Sequence, residues 1–151
     1  MKGRELLSRV KKLLFAKDYE INIYSWNDKW TISKLPNLTI LNTDYASGQG
    51  EHYVCFLVDK DKTVTYFDSY GITPHSDITT ELLSRGYGRP IRFQDRLLQS
   101  PYSSHCALYV IAFCSFMFCG STFQNFLKCF YADPILNDRL IELFVNKMNE
   151  L

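Results

Sequence analysis

Three consecutive stretches decide how this chain is read: His52-Tyr53-Val54-Cys55-Phe56-Leu57-Val58, then Asp59-Lys60-Asp61-Lys62, then Thr63-Val64-Thr65-Tyr66-Phe67-Asp68. Two runs rich in β-branched and aromatic residues flank a four-residue polar turn, the pattern of an antiparallel hairpin. Working outward, Gly71 closes the second strand, and residues 38–42 (Leu-Thr-Ile-Leu-Asn) read as another short strand. Residues 3–16 place Leu6, Leu7, Val10, Leu13 and Leu14 at helical spacing, which predicts an opening amphipathic helix. A short helix is expected from Asp77 to Ser84, stopped by Gly86, and a strand over 90–93 opened by Pro90. His105 to Phe118 is apolar around its whole circumference, as a helix buried on every side is. Ser121 is placed to cap a helix through Phe130. Asp133-Pro134 opens a last helix, with Ile135, Leu136, Leu140, Leu143, Phe144 and Met148 on its apolar face. A central, mainly antiparallel sheet packed against helices, one of them buried, is an α+β domain. No linker, repeat or biased segment interrupts it, so residues 1–151 read as a single domain.

Composition removes several classes. The 151 residues suffice for a proper core, and with 46% hydrophobic and 15% aromatic residues the chain is not a disordered one. A net charge of +1 supplies no global field for nucleic acid or an anionic membrane. The basic residues Lys2, Arg4, Arg9, Lys11, Lys12 and Lys17, and the run Arg85, Arg89, Arg92 and Arg96, read as solvated faces. Five cysteines make an odd set, and residues 1–17 are basic and amphipathic rather than signal-like, so a reducing, intracellular setting is expected. The most apolar stretch, Ala107 to Cys119, is shorter than the roughly 20 residues a membrane span needs. His105 adjoins Cys106, but there is no C-x-x-C and the three histidines are scattered, so no metal site is predicted.

One set of residues carries chemistry. Cys106 stands where a polar loop enters the buried helix, and the unpaired N–H groups and positive dipole end of a helix start favour a thiolate. Cys55, Cys114, Cys119 and Cys129 lie in apolar runs and read as small packed hydrophobes. His52 and Asp68 lie six positions before and after the hairpin turn, at the same open end, as a base and its orienting carboxylate must. Taken singly, a strand-end histidine and a turn-forming aspartate need no such role; their shared register argues for one. Gln99, seven residues before Cys106, reads either as an exposed loop glutamine or as an amide donating to an oxyanion beside the Cys106 N–H. Trp26, Trp30 and Tyr53 are candidates to line a substrate cleft, with core packing as the competing use for at least one.

The order His, Asp, Gln, Cys excludes the papain-like arrangement, where Cys comes first, and the Gln-Ala-Cys signature of caspases is absent. The chain resembles the adenovirus maturation protease (adenain) family, within the clan of cysteine proteases that includes the SUMO-specific proteases. The likeness rests on Leu41-Asn42-Thr43 with Gly50-Glu51-His52-Tyr53, on Tyr66 to Gly71, on Gln99-Ser100-Pro101-Tyr102-Ser103-Ser104-His105-Cys106, and more weakly on Asn27-Asp28-Lys29-Trp30. Two positions depart from the family pattern: Tyr53 follows the histidine where Trp is usual, and Ala107 follows the cysteine where Gly is usual. The resemblance implies a cysteine endopeptidase that processes capsid or core precursors of a virus or virus-like element, cleaving near small residues such as glycine, in the virion or the host nucleus or cytoplasm. No cofactor is required by the sequence, and the family's activating peptide and DNA have no matching feature here. The alternatives are a protease of ubiquitin-like modifiers from the same clan and a non-catalytic scaffold that keeps the fold.

Overall fold

The computed structural model describes residues 1–43 and 52–149. The Ser47 to Gly50 stretch, which the sequence places as a flexible lead-in to His52, lies outside the described residues. The fold is α+β. Five strands form one sheet in chain order: β1 (Glu20–Ser25), β2 (Asn37–Thr43), β3 (His52–Val58), β4 (Val64–Phe67) and β5 (Ile91–Arg92). The inner pairs β2–β3 and β3–β4 are antiparallel, and the outer pairs β1–β2 and β4–β5 are parallel. Register is fixed by Thr43 opposite His52, Cys55 opposite Phe67, and Val58 opposite Val64 across the predicted hairpin turn.

Every residue of β3 is buried, because the sheet is covered on both faces. Tyr53, Cys55, Leu57 and Phe67 face the larger core, which holds α1 (Gly3–Lys11), α3 (Cys106–Phe118), α4 (Phe123–Leu127) and α5 (Pro134–Asn149). Val54, Phe56, Val58, Val64 and Tyr66 face a smaller core closed by Trp30 and by Ile78 and Leu82 of α2 (Ser76–Ser84). The centre of the larger core is aromatic. Phe67 stacks on Phe113 of α3 with centroids 4.9 Å apart and planes 6° apart, and Phe126 meets both rings edge-on.

Four local expectations are corrected. Helix α1 stops at Lys11 rather than 16, where the Lys12 and Leu13 N–H groups turn to the Arg9 and Val10 carbonyls; Phe15 beyond it is left-handed (φ 65°), and Leu14 is left exposed. Helix α4 is capped by Thr122, not Ser121: its hydroxyl accepts from the Asn125 N–H, and the helix ends at Leu127 rather than Phe130. Helix α5 begins at Pro134 as predicted, and Leu140, Phe144 and Met148 of the expected face pack against the larger core, yet it also buries Asn137, Asp138, Ile141 and Val145, while Ile135, Leu136 and Leu143 face solvent. Strand β1 is an addition, paired along one edge with β2 and burying only Ile21 fully.

Removing the Phe113 ring opens a cavity against Phe67, Phe123 and Phe126. Phe113→Ala is expected to lower unfolding free energy by about 3–5 kcal/mol, read from the urea midpoint at unchanged m-value.

Candidate active site

The site assembles at one end of the sheet. His52 is the first residue of β3, held by pairing with Thr43, whose hydroxyl donates to the His52 carbonyl at 3.3 Å. Asp68 directly follows β4, where the chain turns: the Gly71 N–H donates to the Asp68 carbonyl at 2.8 Å and the Tyr70 N–H to its Oδ1 at 2.9 Å. Only glycine suits position 71, since φ is +71° and a Cβ would lie 2.5 Å from the Arg96 carbonyl oxygen. Strand register brings the two side chains together, with His52 Nε2 2.9 Å from Asp68 Oδ1 and both residues almost wholly buried. Nε2–H donates to the carboxylate, which leaves Nδ1 as the nitrogen available to a nucleophile.

Cys106 is the first residue of α3 and is buried. The helix start leaves its first-turn N–H groups without helical carbonyl partners. The Cys106 thiol is near enough to the imidazole to raise its pKa. Burial by itself pushes the His52 pKa down. Hydrogen bonds to Asp68 and to Cys106, together with their negative charge, more than offset this and raise it from 6.5 to about 9. The site therefore favours an imidazolium beside the sulfur, the state in which a cysteine acts as a nucleophile.

Gln99 is not an exposed loop residue but fully buried. Ser69 Oγ donates to its Oε1 at 2.6 Å, and its Nε2 donates to the carbonyl and the hydroxyl of Ser103 at 3.0 and 3.1 Å. The 98–100 segment is tied down from three sides. Ser69 accepts from the Leu98 and Gln99 N–H groups, Tyr109 and Asn137 donate to the Leu98 carbonyl, and Asp138 accepts from the Ser100 N–H. Tyr109 also donates to Asp138 at 2.8 Å, and burial first and then that carboxylate push the phenol pKa upward. Ala107 belongs to the larger core.

The cleft candidates divide. Trp30 packs edge-on against Phe56 in the smaller core, with the Arg85 guanidinium 4.3 Å above its ring. Tyr53 sits in the larger core with its hydroxyl donating to the Met1 carbonyl at 3.4 Å. Both are core residues first, and each shows an edge to a cavity: Trp30 with the half-buried Trp26 to one of about 570 Å³, Tyr53 to one of about 440 Å³ beside Arg4 and Tyr24. The 1–17 and 85–96 basic segments contain no ion pair among the described residues other than Arg85 with Glu81. His105 pairs with Glu142, and among the described residues no group of three or more His, Cys, Asp or Glu could hold a metal. No helix among them is long and apolar enough to cross a membrane.

Sequence reasoning missed three contributors. Tyr70 stacks on the His52 ring at 4.6 Å and donates to the Ser103 carbonyl at 3.4 Å. Ser69 clamps Gln99. Gln94 is buried and donates through Nε2 to the Asp68 carbonyl. Ser69 and Tyr70 flank the acidic residue in the quoted Tyr66 to Gly71 run, so proximity was visible while side-chain direction was not.

No family model matches the sequence, and no curated protein does. Solved structures are similar to it in fold, three of them as follows. The ASFV pS273R protease shares 18% identity at TM-score 0.48, over 68% of this chain and 41% of that one. SUMO protease Ulp1 with its catalytic cysteine oxidized to a sulfonic acid shares 20% at TM-score 0.40, over 74% and 53%. The same protease with a sulfenic acid shares 19% at TM-score 0.38, over 69% and 50%. The chain thus spans between 41% and 53% of the length of these proteins.

The His52 shift carries a pH signature. The folded value, about 9, lies above the ordinary 6.5, so the ion-pair contribution to stability is complete below about pH 6.5 and is lost as pH rises through 9. The expected result is a wild-type unfolding free energy that declines across this window, with that decline absent in His52→Ala, measured by urea titration from pH 6 to 10.

Proposed function

We propose that the protein is a cysteine endopeptidase with Cys106 as nucleophile, His52 as general base and acid, Asp68 as the carboxylate that orients the imidazole, and Gln99 as oxyanion donor. The observation that supports this best is a single buried imidazole beside a carboxylate and a thiol at a helix start, with its pKa raised to about 9 by both.

His52 Nδ1 takes the thiol proton, and the Cys106 sulfur attacks the peptide carbonyl carbon. The oxyanion of the tetrahedral intermediate is met by the Cys106 N–H and by Gln99 Nε2, which exchanges one of its Ser103 contacts for it. The intermediate collapses with loss of the amine, which leaves with the imidazolium proton, and a thioester remains on Cys106. Water, deprotonated by His52, hydrolyses the thioester and restores the thiol. Asp68 fixes the tautomer throughout and stays a carboxylate.

The finer reading follows the adenain resemblance. The substrates are capsid or core precursors of a virus or virus-like element, cut beside small residues such as glycine, with action in the virion or the host nucleus or cytoplasm. His105 before the nucleophile differs from the Asp of the SUMO-specific branch's Asp-Cys-Gly, which favours precursor processing over removal of ubiquitin-like modifiers, while Ala107 departs from both patterns. No metal or redox cofactor enters the steps, and a peptide or nucleic-acid activator belongs to the family resemblance alone.

Cys106→Ala and His52→Ala are expected to abolish cleavage of glycine-containing peptides while retaining the wild-type circular dichroism spectrum. Gln99→Ala is expected to lower kcat by about a hundredfold or more, the usual cost of one oxyanion donor. Cleavage retained by Cys106→Ala would place the chemistry elsewhere. Labelling of Cys106 by the vinyl sulfone of a ubiquitin-like modifier, without peptide cleavage, would favour the modifier-protease reading instead.

A further inference from the structure

We propose that Ser69 is a positioning residue of the oxyanion arm: its hydroxyl donates to Gln99 Oε1 and its carbonyl holds the Gln99 backbone, which together keep in place the amide orientation that the Ser103 carbonyl selects. The claim deepens the endopeptidase reading and rests on it for its kinetic consequences.

An amide side chain has a donor end and an acceptor end of nearly the same shape, and which way it sits is decided by its neighbours. At Gln99 one neighbour is unambiguous. The Ser103 carbonyl oxygen can only accept, so the atom 3.0 Å from it is Nε2. The other end is then Oε1, and the group 2.6 Å from it, the Ser69 hydroxyl, must donate. Neither serine hydroxyl selects the orientation, since each can donate or accept; the Ser103 hydroxyl donates to the Ser100 carbonyl and so accepts from Nε2. Ser69 is thus the donor that anchors Oε1 while Nε2 is turned to Ser103. Gln99 and Ser69 are both shielded from water, so nothing replaces this hydrogen bond when it is removed.

The same residue also fixes the Gln99 backbone. The Ser69 carbonyl accepts from the N–H groups of Leu98 and Gln99 at 2.9 and 3.0 Å. Three hydrogen bonds therefore run from one residue to the 98–99 segment, and that residue directly follows Asp68, the partner of His52. Ser69 joins the carboxylate arm to the oxyanion arm.

The test separates attack that builds an oxyanion from attack that does not. Displacement of iodide from iodoacetamide by the Cys106 sulfur needs the thiolate and His52 but no oxyanion donor; binding of a peptide aldehyde as a hemithioacetal needs both. In Ser69→Ala, alkylation of Cys106 followed by mass spectrometry is expected to stay within twofold of wild type. Peptide-aldehyde affinity and kcat should fall tenfold or more, with KM little changed. Ser69→Ala placed in Gln99→Ala should add less than twofold. Equal loss in alkylation and turnover would mean a merely structural role and overturn the proposal, as would unchanged kcat or a full multiplicative loss in the double variant. If the wild-type protein neither cleaves peptides nor binds the aldehyde, the endopeptidase reading fails, and Ser69 is then decided by NMR. The Gln99 side-chain amide protons are expected to shift and to exchange faster in Ser69→Ala, and unchanged resonances would overturn the positioning role.

Discussion

A nearly solvent-free imidazole is the constraint from which the rest of the structure follows. Burial of a titratable ring disfavours its charge, and a charged ring inside a protein is tolerated only with partners that hydrogen-bond and neutralise it. His52 has such partners in the Asp68 carboxylate at Nε2 and the nearby Cys106 thiol, and the result is a pKa near 9 despite burial. That outcome depends on placing three side chains from three separate elements at the same point. The β2–β3 register sets the ring through Thr43, the turn closed by Gly71 sets the carboxylate, and the start of α3 sets the sulfur.

What holds those elements in mutual position is the aromatic core. Phe67 immediately precedes Asp68, and Phe113 lies seven residues after Cys106, two helical turns along the same face. Their near-parallel stacking at 4.9 Å, locked edge-on by Phe126, pins the axial position of α3 against β4. A helix that slid along its axis would carry the sulfur away from the imidazole while leaving most apolar contacts in place. Large rings with one preferred mutual geometry resist such sliding better than aliphatic side chains do, because a tightly packed aromatic contact has no neighbouring arrangement of equal energy.

The elements legible in the sequence are those whose reading depends on a single physical term. The hairpin shows itself by β-branched and aromatic runs around a polar turn, and α3 by its unbroken apolar stretch. From the hairpin, the His52–Asp68 pairing follows by counting. Where two terms compete, the pattern misleads. Helix α1 looks continuous through Leu13 and Leu14, yet it ends at Lys11. Strand β1 hides because as an edge strand it buries only Ile21 completely. The stacking of Tyr70 on His52 and the Ser69 clamp on Gln99 lie beyond a strand end, where side-chain alternation ceases to predict direction. Trp30 and Tyr53 show the reverse difficulty: aromatic residues near a site satisfy the description of a cleft and of a core equally well, and here the sheet puts them mainly in its two cores.

Helix α5 gives the most instructive disagreement. An apolar stripe through Ile135, Leu136 and Leu143 is available to bury, yet the helix turns those residues outward and buries Asn137 and Asp138 instead. The cause lies in the loop that carries Gln99. Leu98, Gln99 and Ser100 are irregular backbone sealed from water, and sealed N–H and C=O groups must be paired by something other than a strand or helix ladder. Asn137 takes the Leu98 carbonyl and also both backbone groups of Tyr131, while Asp138 takes the Ser100 N–H and the Tyr109 hydroxyl. Exposing a leucine or an isoleucine forfeits about 1.5–3 kcal/mol of transfer free energy. Leaving a buried polar group unpaired costs about 1–3 kcal/mol, a cost that Asn137 and Asp138 remove at several groups of this loop. Asn137 and Asp138 are thus buried at the start of α5 to pair the loop that leads to Cys106, while further along Leu140, Ile141, Phe144, Val145 and Met148 keep an apolar face toward the larger core.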